Sequence, residues 1–198
     1  MELEVFWDVT SPYTYLAHTQ LRALAERTGA ALRYRPMLLG GVFKATGNAM
    51  PAATPGKGPY MMRDLARWRD RYGVPFRMPV EEVPFPLVGV LPMRVATVFD
   101  VDGRGVEGAD ALMRGYWAQG RDLSERAQLA ATIAEVDDDA DGVLARAESP
   151  EIKARLREVT DEAVRRGVFG APTFFVGSDM FWGNDRLGFV EDRLRSTS

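Results

Sequence analysis

The sequence predicts an α/β protein whose strands lie near the two ends of the chain and whose middle is helical. Residues 3–9 and 31–37 are short β-favouring runs with a helical pattern between them. Residues 168–176 and 180–182 form a second strand-rich region. The stretch between these regions contains helical patterns and no recognisable strand. The predicted order is therefore βαβ, a helical block and αββα.

The first unit is predicted from periodicity and from its stop signals. The bulky run LEVFWDV at 3–9 favours a strand, and 12–28 carries leucines among good helix formers before Gly29 ends the helix. The run ALRYRPM at 31–37 alternates in character, as a second strand does. Because crossover connections are right-handed, the two strands are predicted to be parallel neighbours.

The middle of the chain is predicted to be a loop followed by helices. Residues 39–58 are rich in Gly, Pro, Ala and Thr, which predicts a long loop of the kind that usually carries function. A helix is predicted at 59–73, and four prolines between 74 and 86 indicate an extended connection. Further helices are predicted at 91–100, 108–119, 124–136 and 140–147.

The last part of the chain returns to sheet. Ser149 and Pro150 form a helix cap and first-turn pair, and the helix they open is predicted to run to Gly167. Two strands with a turn between them follow, and a last amphipathic helix is predicted at 184–195. The predicted division is one α/β domain, made of 1–58 and 150–198, interrupted by a helical insertion domain at 59–149.

Composition excludes several classes of function. The chain has 198 residues, 46% of them hydrophobic, and its 25 basic residues are scattered among 28 acidic ones. No broad basic face is expected, which excludes nucleic acid as a partner. A basic leader and an apolar run long enough to span a bilayer are both missing, so no membrane association and a cytoplasmic location are predicted. With no cysteine and one histidine, disulfides, thiolate metal sites and most zinc or iron sites are excluded, and no metal site is predicted.

The most informative motif is SPYT, beginning at Ser11. It follows the first strand and opens a helix, where thiol redox proteins of the thioredoxin type carry paired cysteines. A serine there can donate a hydrogen bond to a thiolate supplied by a ligand. Taken alone, Ser11 followed by Pro12 is also an ordinary helix start that needs no functional explanation.

A second signal comes from Ala171 and Pro172. A proline at the entry to a buried strand gives up a ladder donor and marks a special backbone position, so the Ala171–Pro172 peptide is predicted to be cis. The plainer interpretation is an edge-strand proline with a trans bond. Together, the helix N-terminus, the Ser11 hydroxyl and the residue before a cis proline would suit an anionic sulfur on an extended peptide.

Other nucleophilic and phosphate-binding interpretations fail on spacing. His18 lies on the same predicted helix as Ser11, about 10 Å further along its axis, so it cannot act as the base for that serine. His18 is expected to be a partly buried helix residue, and Asp8 is expected to cap backbone donors. The GKG run around Lys57 lacks the glycine and the hydroxyl residue that a phosphate-binding loop requires.

Three further groups remain open to either interpretation. Lys44 and Lys57, on the predicted loop, are candidates for a ligand carboxylate, although plain solvation is the better interpretation of any single lysine. Asn184 and Asp185 are candidates to bind an α-amino acid moiety, although a helix cap is the simpler role for them.

Five segments taken together carry a resemblance: SPYT with YLA, GGVFKATGN, KGPYMMRDLARW, GVFGAPTFFV and FWGNDRL. The chain resembles the 2-hydroxychromene-2-carboxylate isomerase family, relatives of kappa-class glutathione transferases within the DsbA-like branch of the thioredoxin fold. The likeness extends over nearly the whole chain, and residues 95–150 are its least diagnostic part. It implies a thioredoxin-like fold with a helical insertion and a glutathione-dependent homodimer.

The resemblance also implies roles for individual residues. Ser11 would be the catalytic residue facing the glutathione sulfur. Glutathione would further contact residues from four other parts of the chain: Asn48, Lys57, Asp64 across the dimer, Ala171 with Pro172, and Asn184 with Asp185 at the γ-glutamyl end. Lys44 and Asn48 would also face the organic substrate.

The implied reaction is glutathione-dependent isomerisation in the degradation of aromatic compounds. It interconverts 2-hydroxychromene-2-carboxylate, or a close analogue, and trans-o-hydroxybenzylidenepyruvate by reversible thiolate addition. The alternatives are kappa-like glutathione conjugation of small electrophiles and a noncatalytic thioredoxin-fold binding module. The run Leu87, Val88, Gly89, Val90 departs from the asparagine and small hydroxyl residue that relatives often carry, which leaves the aromatic substrate open.

Overall fold

The computed structural model describes residues 1–78, 85–86 and 89–196. Its strands are β1 (Glu2–Trp7), β2 (Ala31–Pro36), β3 (Thr173–Val176) and β4 (Asp179–Trp182). Its α-helices are α1 (Pro12–Thr28), α2 (Leu39–Thr46), α3 (Lys57–Tyr72), α4 (Leu91–Val101), α5 (Gly105–Met113), α6 (Arg126–Ile133), α7 (Ala140–Ala147), α8 (Pro150–Arg165) and α9 (Leu187–Arg195). The predicted order of βαβ, helical block and αββα is confirmed.

The strands form one mixed sheet of four in the order β2-β1-β3-β4. β1 and β2 are parallel, with Val5 opposite Tyr34, as the crossover predicted. β3 is antiparallel to β1, and Val5 also lies opposite Phe174. β4 is antiparallel to β3 and forms the other edge. The end of β1 therefore brings the start of α1 beside the entry to β3.

α1 begins and ends where its sequence signals predict. The Ser11 hydroxyl accepts a hydrogen bond from the Thr14 backbone N–H at 3.2 Å, and Pro12 occupies the first helical turn. Gly29 ends the helix with φ 69°, a left-handed conformation that glycine adopts at little cost.

The prediction of a continuous loop at 39–58 is wrong, because α2 occupies its first part. The helix begins without a cap from its own neighbours, and remote groups replace that cap. Asp8 accepts a hydrogen bond from the Leu39 N–H at 2.8 Å, and the Thr160 hydroxyl accepts one from the Leu38 N–H at 3.0 Å. A short 3-10 turn at Pro51–Ala53 follows α2.

Three other predicted boundaries are also wrong. The helix predicted at 108–119 begins at Gly105, and its second half is a separate π-helical segment, Arg114–Ala118. The strand predicted at 168–176 is limited to β3, because the chain is irregular before cis Pro172. The last helix begins with a 3-10 turn, Asn184–Arg186. Leu87 and Val88, and residues 79–84 of the predicted connection at 74–86, lie outside the described residues.

The core joins the strands to the helical block. One apolar cluster includes Val5 of β1, Leu16 of α1, Phe99 of α4 and Trp117 of the π-helical segment. A second cluster, which includes Phe6, lies between the sheet and α8. The division into two domains stays a prediction. Within the described residues, no helix is long and apolar enough to cross a membrane.

Candidate functional site

The site lies where the N-terminus of α1 meets the segment before β3. Ser11 is 5% exposed, and its hydroxyl donates a hydrogen bond to the Ala171 carbonyl oxygen at 2.9 Å. The same oxygen atom of Ser11 accepts the Thr14 N–H. Two of the predicted site residues, 160 positions apart in the chain, are thus in direct contact.

The segment that carries Ala171 is held from both sides. The Ala171–Pro172 peptide is cis, as predicted. The Gly183 N–H donates a hydrogen bond to the Pro172 carbonyl at 3.0 Å, and the Thr173 hydroxyl donates one to the Gly170 carbonyl at 2.8 Å. Since β4 leads directly into Gly183, the edge strand fixes the position of the proline.

Asn48 reaches the same segment from the end of α2. Its side-chain amide donates a hydrogen bond to the Phe169 carbonyl at 2.7 Å, and its Oδ1 accepts one from the Ala49 N–H at 2.9 Å. The Phe169 ring packs against Trp182, with centroids 4.8 Å apart. Trp182 also lies close to Gly170, where an added Cβ would come within 2.5 Å of its indole nitrogen. Asn48 and Trp182 therefore shape the backbone just before Ala171.

Asp64 contacts the SPYT motif through the side chain of Tyr13. The Tyr13 hydroxyl donates a hydrogen bond to Asp64 at 2.9 Å. Burial raises the pKa of Tyr13 above its usual value, and the hydrogen bond to Asp64 and the charges of Tyr60 and Asp185 raise it further. This tyrosine stays protonated at neutral pH and acts as a donor.

Asn184 and Asp185 lie in the 3-10 turn after β4. The 3-10 turn packs on α1. Asn184 is 3% exposed, and its Nδ2 has no hydrogen-bond partner among the described residues. Its backbone carbonyl accepts a hydrogen bond from the Tyr72 hydroxyl at 3.4 Å. Asp185 is exposed and forms an ion pair with Arg186 at 2.8 Å. The simple helix-cap role is not observed for Asn184, because neither the 3-10 turn nor α9 has a side-chain cap.

Lys44 and Lys57 are less firmly connected to the site. Lys44 lies in the last turn of α2, and Lys57 is the first residue of α3. Both are exposed, and neither side chain forms a hydrogen bond or ion pair in the described part of the chain. Both remain candidates by proximity in sequence alone.

Asp8 caps backbone N–H groups next to the site, as predicted. One carboxylate oxygen accepts hydrogen bonds from the Thr10 N–H and hydroxyl, each at 2.9 Å. The other accepts the Leu39 N–H, so Asp8 joins the turn before Ser11 to α2. Burial raises the pKa of Asp8, although these hydrogen bonds oppose the shift. Trp117 holds the same turn by donating a hydrogen bond to the Val9 carbonyl at 2.7 Å.

Comparison with known proteins identifies the family and the fold. A family model described as a DSBA-like thioredoxin domain matches residues 2–195. The chain belongs to the DsbA-like thioredoxin family. It is 33% identical over 198 residues to a 2-hydroxychromene-2-carboxylate isomerase of Sphingobium xenophagum, covering 97% of each chain. It is also 29% identical to the human glutathione S-transferase kappa 1, covering 97% of this chain and 90% of that protein.

A solved structure gives the same result. The chain matches a 2-hydroxychromene-2-carboxylate isomerase structure with a TM-score of 0.89 at 26% identity, covering 100% of this chain and 96% of that one. The thioredoxin-like fold with its helical middle is thereby shown, and its relatives are isomerases and glutathione transferases.

The sequence predicted both the helix start at Ser11 and the cis peptide before Pro172. It did not identify Tyr13 as the partner of Asp64, although Tyr13 lies inside SPYT. It also did not identify Trp117, whose bond to Val9 spans 108 positions. The only sequence signal for either was an aromatic residue at an apolar position.

The arrangement is able to hold an extended peptide that carries a thiol. Backbone N–H groups in the first turn of α1, including that of Tyr13, have no intrahelical acceptor and favour a negative charge. The Ala171 carbonyl can accept a peptide N–H when the Ser11 hydroxyl turns away. The unpartnered amide of Asn184 is a further buried donor. These residues fit glutathione.

Proposed function

We propose that the protein is a glutathione-dependent isomerase of the 2-hydroxychromene-2-carboxylate type that acts on a small aromatic α-keto acid or chromene carboxylate. Bound glutathione supplies a thiolate that adds reversibly to the unsaturated substrate. The observation that carries the proposal is the hydrogen bond from Ser11 to Ala171, in a chain that resembles such isomerases over nearly its whole length. A homodimer in the cytoplasm is part of the same proposal.

Ser11 is proposed to hold the glutathione sulfur in its ionised form. The Ser11 oxygen already accepts the Thr14 N–H, so rotation about the Cβ–Oγ bond is enough to turn its proton from Ala171 to a sulfur. A thiol with a pKa near 8.5 is mostly protonated at pH 7, and each tenfold gain in thiolate needs about 1.4 kcal/mol. The serine hydroxyl and the first-turn N–H groups are sufficient for one such gain.

The same rotation frees the Ala171 carbonyl. That oxygen can then accept the N–H of the cysteinyl residue, while Asn184 and Asp185 bind the γ-glutamyl amide and amino groups. Asn48 is proposed to act by holding the Phe169 carbonyl, which lies close to Ala171 in the chain. Lys44 and Lys57 are proposed to attract the carboxylates of the substrate and of the glycyl end. Asp64 is proposed to approach glutathione from the second copy of the chain.

Titration of the purified protein with glutathione tests the thiolate site. Thiolate absorbance near 240 nm should increase and saturate at pH 7 in the wild type. Ser11→Ala should abolish most of this signal while glutathione still binds. Ser149→Ala is the matched control, because Ser149 also caps a helix before a proline, accepting the Ile152 N–H at 3.3 Å. Absence of thiolate in the wild type would contradict the proposal.

Conjugation of electrophiles is the second candidate function, and the human kappa-class relative is the observation that favours it. The two reactions differ in what happens to the thiol. An isomerase converts many equivalents of trans-o-hydroxybenzylidenepyruvate and leaves total glutathione unchanged. A transferase consumes one glutathione for each electrophile, which a thiol assay measures directly.

A further inference from the structure

A cavity of about 280 Å³ opens beside α1 and is lined by residues of α1, β2, α5 and the π-helical segment. Its lining residue nearest to Ser11 along α1 is Tyr15, about 6 Å along the helix axis, and none of the residues proposed to bind glutathione lines it. Its walls are mainly apolar and include Leu32, Pro75, Val106 and Ala118.

The polar side of the cavity contains an ordered chain of hydrogen bonds. The His18 Nδ1 lies 2.6 Å from the Tyr34 hydroxyl, and the His18 Nε2 lies 3.3 Å from an Asp110 oxygen. A carboxylate only accepts, so Nε2 carries a proton. Burial raises the pKa of Tyr34, so its hydroxyl keeps its proton at neutral pH.

The positive and negative side chains around these hydrogen bonds are not equal in number. Asp110 accepts a hydrogen bond from His18 and pairs with Arg114, whose nitrogen lies 3.7 Å from it. Arg114 and Arg121 share Glu135. Arg22 lines the cavity, is exposed, and forms no ion pair with any described residue. One positive charge is therefore left over beside an apolar space.

The backbone on one wall has an uncommon form. The segment Arg114–Ala118 is π-helical, and its first and last residues both line the cavity. Short π-helical segments are rare and occur frequently at functional sites. Here the wider turn places Arg114 and Ala118 on the cavity while Trp117 is directed to the Val9 carbonyl.

We propose that this cavity is a second ligand site, which binds a small monocarboxylate with an apolar or aromatic body. The carboxylate pairs with the Arg22 guanidinium, which can donate two parallel hydrogen bonds. The body of the ligand lies against Leu32, Val106 and Ala118 and displaces water from apolar surface. Repulsion between the ligand and Asp110 is reduced, since Arg114 already pairs with that carboxylate.

The only histidine of the chain makes the test direct. In solution NMR, the ring C–H signals of His18 stand alone and report on the cavity. Benzoate added to the full protein should shift these signals along a saturable curve. The uncharged benzamide should not shift them, and acetate, which lacks the apolar body, should require at least tenfold more ligand. Saturating glutathione should leave the benzoate curve unchanged, which separates this site from the proposed glutathione site.

Three variants complete the experiment. Arg22→Gln should weaken benzoate binding at least tenfold, whereas Arg157→Gln, a change at an exposed arginine on α8, should leave it unchanged. Val106→Phe fills the space without altering charge and should abolish the shift. The proposal is overturned if the shift is linear in benzoate, equal with benzamide, or unaffected by Arg22→Gln.

Discussion

The hydroxyl of Ser11 donates a hydrogen bond to the carbonyl oxygen of Ala171 at 2.9 Å, across the junction between the first helix and the cis proline segment. The serine thus has two roles in one position. It caps α1 through the Thr14 N–H, and it occupies the acceptor that a bound peptide would need. A ligand with its own N–H donor can replace the serine at Ala171 without disturbing the helix cap.

Replacing Ser11 by cysteine should create a reactive thiol. Since the chain has no cysteine of its own, a mixed disulfide with glutathione could form only there. The helix N-terminus lowers the pKa of the new thiol, so its thiolate should attack oxidised glutathione and release one reduced molecule. Intact-protein mass spectrometry over time measures the reaction at pH 7.

Ser149→Cys is the control, because it places a thiol at the start of α8 before Pro150. A helix N-terminus alone would make the two variants react equally. Residues that bind glutathione should make Ser11→Cys at least tenfold faster. Equal rates would contradict a glutathione site at Ser11.

Removing the charge of Asp64 should lower the pKa of Tyr13. Burial raises that pKa first, and the hydrogen bond to the ionised Asp64 adds to it. Asp64→Asn removes the second cause and leaves the first, so the pKa should fall but stay above its ordinary value near 10. Titration of tyrosinate absorbance, with Tyr13→Phe used to assign the signal, measures the change.

The exposed Asp70 lies on the same helix and provides the comparison. Asp70→Asn should leave the Tyr13 titration where it is in the wild type. If both asparagine variants behave alike, the 2.9 Å contact between Tyr13 and Asp64 does not control this tyrosine.

The partly buried ion pairs of Glu4 should make stability depend on pH. Glu4 pairs with Arg35 at 2.7 Å and with Arg166 at 2.8 Å. Burial alone would raise the pKa of Glu4, but the two arginines lower it below its usual value of 4.5. Its stabilisation is therefore complete above pH 4.5 and disappears as the pH falls through the lowered value.

Glu4→Gln should reduce the free energy of unfolding by about 2 kcal/mol at pH 7 and by much less near pH 3. Urea unfolding at both pH values measures it. Glu2→Gln, on the same strand, breaks only an exposed pair with Arg33 and should change little at either pH. An equal loss at pH 3 and pH 7 would refute the assignment.

Gly108 permits the close contact between α4 and α5. An added Cβ would lie 2.6 Å from the Cβ of the buried Phe99, which cannot move away easily. Gly108→Ala should destabilise the protein by about 1 to 3 kcal/mol. Gly188→Ala in α9 meets no atom within 4 Å and should instead stabilise it by about 0.5 kcal/mol. Thermal unfolding of the two variants should thus shift in opposite directions.

The sequence could predict those parts of the fold that depend on neighbouring residues. The start of α1 is marked by Ser11 with Pro12, and its end is marked by Gly29. The strands on either side of α1 are likewise indicated by their own short runs of residues. α2 could not be predicted in this way. It contains Gly40 and Gly41, and Asp8 and Thr160 satisfy its first N–H groups from distant parts of the chain.

The same distinction applies to the candidate site. SPYT and the Ala171–Pro172 pair each have a local signature, and two such signatures were enough to predict that they meet. The contact between Tyr13 and Asp64 spans 51 positions and depends on how α3 packs on α1. The π-helical turn at Arg114–Ala118 likewise has no local signature. This segment is held by a long-range hydrogen bond, which the Trp117 indole N–H donates to the Val9 carbonyl.

The long separation between Ser11 and Ala171 has a consequence for synthesis on the ribosome. The serine emerges early, but its acceptor and the edge strand that holds Pro172 emerge only with the last residues of the chain. A nascent polypeptide that stops before residue 171 therefore carries the Ser11 hydroxyl without the carbonyl that accepts its hydrogen bond. The two parts of the proposed glutathione site come together only after β4 has been made.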